Sequence, residues 1–177
     1  MEIRTDRLLM RRWRDSDREP FAALNADPEA RRYFPSTLSR EVSDADIDSY
    51  EEKWERNGVG LWALERLDTG EFLGFTGLNP MPENGPGEGF YEVGWRLAQP
   101  AWHQGFATEA ARAALDVAFE RLDVAEIWSH TAVANRPSIA VMLRLGLRHV
   151  TTAPHPRLPD DSPLSQHVYY RITAADR

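Results

Sequence analysis

The sequence has no cysteine. Disulfides and thiolate chemistry are both excluded, so any thiol in a reaction must come from a cofactor. Lysine is nearly missing too: of 21 basic residues only Lys53 is a lysine, and no function follows from that. Positive charge is in deficit. The 28 acidic residues outweigh the basic ones and leave a net charge of −7, which argues against general nucleic-acid binding and suits a cationic amine. No apolar run approaches the roughly 20 residues that cross a bilayer. The opening Met-Glu-Ile-Arg-Thr-Asp-Arg carries no apolar signal core, so a cytoplasmic protein without membrane contact is expected. Repeats, low-complexity tracts and linkers are also lacking, and 177 residues suit one domain with a sizeable core.

What is present alternates between strand and helix patterns. Arg7 to Trp13 reads as a first strand. Asp15-Ser-Asp17 offers N-cap side chains to a helix carrying Phe21 and Leu24. Asp27-Pro28 restarts the chain into a short helix over Glu29 to Phe34. Ser43 or Asp44 caps a third helix with Ile47, Tyr50 and Trp54 on one face, stopped at Asn57-Gly58. Val59 to Leu67 and Glu71 to Leu78 form a hairpin about Asp68-Thr-Gly70. Asn79 to Gly89, rich in Pro and Gly, is expected to be a mobile surface loop. Phe90 to Ala98 is the fourth strand and Val124 to Val133 the fifth. A helix from Asn135 to Gly146, a sixth strand over Leu147 to Thr152, a second Pro-rich loop and a last strand over Gln166 to Ile172 complete the chain, with a frayed tail over Thr173 to Arg177. This order predicts an α/β protein whose mixed, twisted sheet has helices on both faces.

One stretch organises the rest. Glu92 to Arg112 reads as a strand, a short loop and the start of a long helix. A helix N-terminus holds unpartnered N–H groups and a partial positive charge, so it binds anions. Gly105 permits close backbone approach, Thr108 adds a hydroxyl, and Trp102 to Ala107 fit a pyrophosphate cradle. Trp-His-Gln-Gly-Phe-Ala-Thr-Glu-Ala (Trp102 to Ala110) resembles the acetyl-CoA loop of the GNAT acetyltransferases, and in particular the RimJ/RimL branch. That branch usually has Gly where His103 stands and Tyr where Phe106 stands. Thr5-Asp-Arg-Leu-Leu-Met-Arg resembles the branch's opening, and Asn135 to Leu147 its "N-x-x-S … L-G-F" helix. Met142 takes the place of a Tyr found in much of the superfamily, a Tyr the branch also lacks, using the Ser instead, and Leu147 takes that of a Phe.

The resemblance implies a mostly antiparallel GNAT sheet in which the fourth and fifth strands splay to admit pantetheine. It implies transfer of the acetyl group of acetyl-CoA directly to a primary amine, whether a protein N-terminus, an amino acid or another small amine. Glu92 is the candidate base and Ser138 the group beside the sulfur. Trp95, Arg96 and Leu97 would pair with pantetheine amides, Trp102, His103, Gln104, Gly105, Phe106, Ala107 and Thr108 would hold the pyrophosphate, and Asn135 would contact the cofactor. Plainer readings stand beside these: Glu92 as an ion-pair partner, Ser138 and Asn135 as helix caps. His130, His149, His155 and His167 show no metal-ligand spacing and read as structural or surface side chains, and no metal is expected. Glu109 is expected to bond within its helix or to a neighbouring strand. Helices 15–57 and loops 79–89 and 154–165 would frame the acceptor, and exposed Trp side chains would allow a homodimer beside a monomer. A non-catalytic acyl-CoA sensor or scaffold on the same fold is the alternative. A mononucleotide-binding loop would need a Lys-Ser/Thr that is lacking here.

Overall fold

Alternating strands and two capped helices build the sheet that carries the site. The computed structural model describes residues 1–176. Its strands are β1 (Ile3–Arg4), β2 (Leu8–Arg11), β3 (Leu61–Arg66), β4 (Phe72–Pro80), β5 (Tyr91–Leu97), β6 (Glu126–Ala132), β7 (Arg148–Pro154) and β8 (Gln166–Thr173). The helices are α1 (Arg18–Ala26), α2 (Arg40–Asn57), α3 (Phe106–Arg121) and α4 (Arg136–Arg144). All eight strands join one sheet in the order β1-β2-β3-β4-β5-β6-β8-β7. Every pairing is antiparallel except β5 with β6. The mixed α/β fold with helices on both faces is therefore present.

The period of two sorts side chains between the faces. Trp62 and Leu64 of β3, Val93 of β5 and Ile127 of β6 pack with Ala110, Ala111, Ala114 and Leu115 of α3. The small residues let α3 lie close to the sheet. Leu61 and Ala63 of β3 and Phe75 of β4 turn the other way, onto Trp13, Phe21 and Leu24 near α1 and Ile47 of α2. Beyond the splay, the same face carries Trp128 and Tyr169 packed with Met81.

Several boundaries differ from the sequence expectation. Residues 28–33 form consecutive turns rather than a helix. The Asp27 side chain accepts from the Glu29 N–H at 2.9 Å, and the Arg31 side chain donates to the Ser36 carbonyl, so local polar bonds replace a helical ladder. α2 starts earlier, with Ser39 as its cap; the buried Ser43 instead accepts from Asn25 at 3.1 Å. Gly58 ends α2 with φ of 68°, the left-handed value that glycine adopts without strain. The loop after β4 is anchored: Met81 and Pro82 are buried. Thr173 belongs to β8, and its hydroxyl donates to Asp176 at 2.6 Å, so the described tail is tied down; Arg177 lies outside the described residues. No tryptophan is exposed, which removes that support for a dimer.

One buried ion pair locks the start of α1 to β2. The Arg11 guanidinium donates to both oxygens of Asp17 at 2.7 and 2.8 Å and to Glu65 at 2.8 Å. Breaking a buried pair strands the remaining charge. Asp17→Ala should cost about 3 kcal/mol in urea unfolding. The double variant Arg11→Met with Asp17→Leu should recover most of that loss.

Candidate active site

The first half of the site is the α3 N-terminus. Its cap is Gly105, with φ of 83° and no side chain to satisfy the first helical N–H groups. Glu109 N–H, bonded to the Gly105 carbonyl at 3.0 Å, is the first of the turn to find an intrahelical acceptor. The N–H groups of Phe106, Ala107 and Thr108 are thus those a helix start offers to an anion. A Cβ on Gly105 would meet only Arg7 Nη2, at 3.5 Å, so backbone conformation rather than crowding makes glycine the fitting residue. His103 also has positive φ, 59°, explaining why glycine suits that place and what its replacement costs.

Glu109 holds this turn in place. Its carboxylate accepts from the Thr5 hydroxyl at 2.6 Å, the Arg7 N–H at 3.0 Å and Arg7 Nε at 2.7 Å. Arg7 also donates to the Gln104 carbonyl at 2.9 Å and lies over the Phe106 ring at 4.4 Å. Burial pushes the Glu109 carboxyl up, but the bonds from Thr5 and Arg7 outweigh it and hold it below its ordinary value. Of the two expectations for Glu109, a bond within its helix or to a neighbouring strand, the second is the nearer: its partners lie in the corner between β1 and β2.

The second half is a fork in the sheet. β5 pairs with β4 along its whole length, yet with β6 only at Tyr91–Ile127 and Glu92–Trp128. On its other edge β6 pairs with β8 along its whole length, and past Trp128 the β5 and β6 strands diverge. The Ser129 hydroxyl donates to the Val93 carbonyl at 2.9 Å just where they part. The fork opens into a cleft of about 1600 Å³ that runs from Glu92 past Trp95, Arg96 and Leu97 to the α3 turn, and reaches Asn135 and Ser138. Among the sequence candidates, Gln104 is not on its wall: its side chain donates to the Pro100 carbonyl at 2.6 Å.

Glu92 stands at the joint of the fork and Oε2 accepts from His130 Nε2 at 3.0 Å. His130 Nδ1 lies 3.0 Å from His167 Nδ1, and the His155 ring packs against both. The separated positions of these histidines in the chain hid this cluster; strand register creates it. β6 and β8 pair His130 with Tyr169 and Ala132 with His167, and β7 pairs Ala153 with His167. The three imidazoles therefore occupy neighbouring positions on one face. Burial and the His130 charge push His155 down to about 4. Burial, with His130 and His155, pushes His167 down to about 3. Of the four strand-region histidines, only His149 matches the surface reading, beside Thr152 at 3.2 Å.

α4 supplies the last pair. Asn135 is its N-cap, accepting from the Ser138 N–H at 3.3 Å and donating to Thr131 at 2.8 Å. The cap is thus Asn135 rather than Ser138, which is left on the cleft wall next to the buried Met142. The far wall is formed by the turn at 29–34 and by Tyr50 of α2, both within the 15–57 stretch expected there, and by Phe75; of the loops 79–89 and 154–165 only Asn79 reaches the cleft. Arg96, unremarked as a side chain in the sequence, donates to Asn25 at 2.6 Å and lies over Phe34 at 4.3 Å. Burial draws its pKa down to about 10 and pushes Tyr50 up to about 12.

Glu109 has a pH consequence. Its carboxyl is lower in the folded chain, so its contribution is present above the unfolded value of about 4.3 and is lost as pH falls through the folded value. In Glu109→Gln, stability should be reduced at pH 7 and should fall less steeply with acid, measured by thermal melts from pH 7 to 3.

Known proteins share this fold. Residues 7–148 match the family model described as an acetyltransferase (GNAT) domain. The YkkB protein of Bacillus subtilis strain 168 is 30% identical over 149 residues, covering 84% of this chain and 86% of that one. The crystal structure of an acetyltransferase from Agrobacterium tumefaciens superposes with a TM-score of 0.77 at 27% identity, over 97% of this chain and 94% of that one. RimL, the ribosomal L7/L12 α-N-protein acetyltransferase solved with coenzyme A, superposes with a TM-score of 0.81 at 15% identity over the full length of both. A family match over most of the chain, on a forked sheet ending in an uncapped helix turn, makes this protein a member of the GNAT acetyltransferases.

Proposed function

We propose that the chain is an N-acetyltransferase of the RimJ/RimL type, moving the acetyl group of acetyl-CoA to a primary amine. The observation that carries the reading is the single cleft shared by Glu92, Ser138 and the α3 turn. Acetyl-CoA fits the residues present. The N–H groups of Phe106, Ala107 and Thr108 suit a pyrophosphate, and the edge of β5 left free by β6 suits the amides of pantetheine. When bound, it supplies the acetyl thioester.

The chain's own groups do the rest. An ammonium is protonated at neutral pH and must lose a proton before it attacks a carbonyl. Glu92, facing the cleft, accepts that proton directly or through water. The bond from His130 aims the carboxylate. A backbone N–H of β5 near Gly94 or Trp95 polarises the carbonyl, and the Ser138 hydroxyl attends the sulfur. With proton acceptor and sulfur-side hydroxyl in one cleft, catalysis is favoured over a mere acyl-CoA sensor. The acceptor is a protein N-terminus, an amino acid or another small amine. The likeness of fold to RimL supports the branch.

Glu92→Gln should lower kcat at least 100-fold while the acetyl-CoA dissociation constant stays unchanged, with partial recovery at high pH. Unchanged turnover in thiol-release assays removes Glu92 from the base role. Wild-type protein with acetyl-CoA at 100 times its dissociation constant should gain about 2.7 kcal/mol, read as a melting shift beside ATP and NAD controls. Gly105→Val should abolish that shift, whereas His103→Gly should retain or enlarge it, because only the latter suits a left-handed backbone.

A further inference from the structure

We infer that His130, His155 and His167 form a binding site for one divalent first-row transition ion, with zinc as its representative. Among the described residues these are the group whose ligand atoms converge, all within 4.8 Å of one another. The inference concerns ion binding; it shares Glu92 and His130 with the acetyl-transfer reading, and its test reads metal uptake rather than turnover.

Three features argue for it. The first is spacing. In a tetrahedral zinc site with bonds of about 2.0–2.1 Å, ligand nitrogens stand roughly 3.3 Å apart. The Nδ1 atoms of His130 and His167 already lie 3.0 Å apart. His155 sits just past β7 on the loop, where a small shift of its ring closes the third distance.

The second is the outer shell. A ligating imidazole is typically oriented by a carboxylate on its other nitrogen. Glu92 accepts from His130 Nε2 at 3.0 Å, which fixes the proton there and leaves Nδ1 as a lone pair facing His167. The carboxylate also offsets part of the ion's charge in a low-dielectric site.

The third is the facing pair of nitrogens itself, held on the buried His167. Without an ion, the two facing Nδ1 atoms need one shared proton to avoid lone-pair repulsion; an ion takes both lone pairs at once. Three imidazoles suit zinc, copper(II) and nickel(II) and disfavour magnesium and calcium.

The test uses full-length protein stripped with a chelator and dialysed. Cobalt(II) titration should give the intense visible absorption of a four-coordinate site, saturating at one ion per chain, and zinc should displace it. Competition against a chromophoric chelator should give the zinc affinity. His155→Gln, in a half-buried loop position, should lose at least 10-fold in affinity, and His167→Gln should abolish the spectrum; His149→Gln, the surface control, should change neither. Circular dichroism and melting temperature of each variant check that it is folded. Absence of stoichiometric uptake by the wild type, or a zinc affinity unchanged in His155→Gln, overturns the site and leaves the histidines as packing.

Discussion

A single carboxylate sets the geometry on which the site depends. Glu109 points back from the first turn of α3 to the β1–β2 corner, where Thr5 and Arg7 receive it. A helix start with a glycine cap has no side chain of its own to define where its free N–H groups aim. The clamp supplies that definition from another part of the sheet. Arg7 does double duty, since it also bonds the Gln104 carbonyl and covers Phe106. Two stretches far apart in the chain therefore act as one structural unit.

That unit explains why the opening Thr-x-Arg and the central Thr-Glu-Ala belong together. The sequence resemblance marks both stretches, but only the fold shows the contact that joins them. Features carried by local chemistry were legible: Gly105 as a helix start, Asn57-Gly58 as a helix end, and the hairpin about Asp68-Thr-Gly70. Asn135 was readable both as a cap and as a cofactor contact; its bonds to Ser138 and Thr131 establish the cap.

What was not legible depends on register. No spacing rule relates His130, His155 and His167, because their proximity follows from how β6, β7 and β8 slide past one another. A shift of one residue in either ladder would send an imidazole to the opposite face. Arg96 is a similar case. The strand pattern places it, but Asn25 and Phe34 come from distant segments. The turn at 28–33 misled through its residues: Asp-Pro-Glu suits a helix start, yet Asp27 and Arg31 spend their polar groups on a tight, non-helical path.

The brevity of the β5–β6 ladder has a mechanical consequence. Two half-sheets joined at two residue positions meet nearly at a point, and a point contact is a pivot. For any rocking of one half against the other, displacement grows with distance along the strands. Leu97 and Ala132, at the far ends, lie on the long arms, whereas Glu92 sits on the axle itself. In any such rocking the mouth of the cleft would move most and the Glu92 carboxylate least.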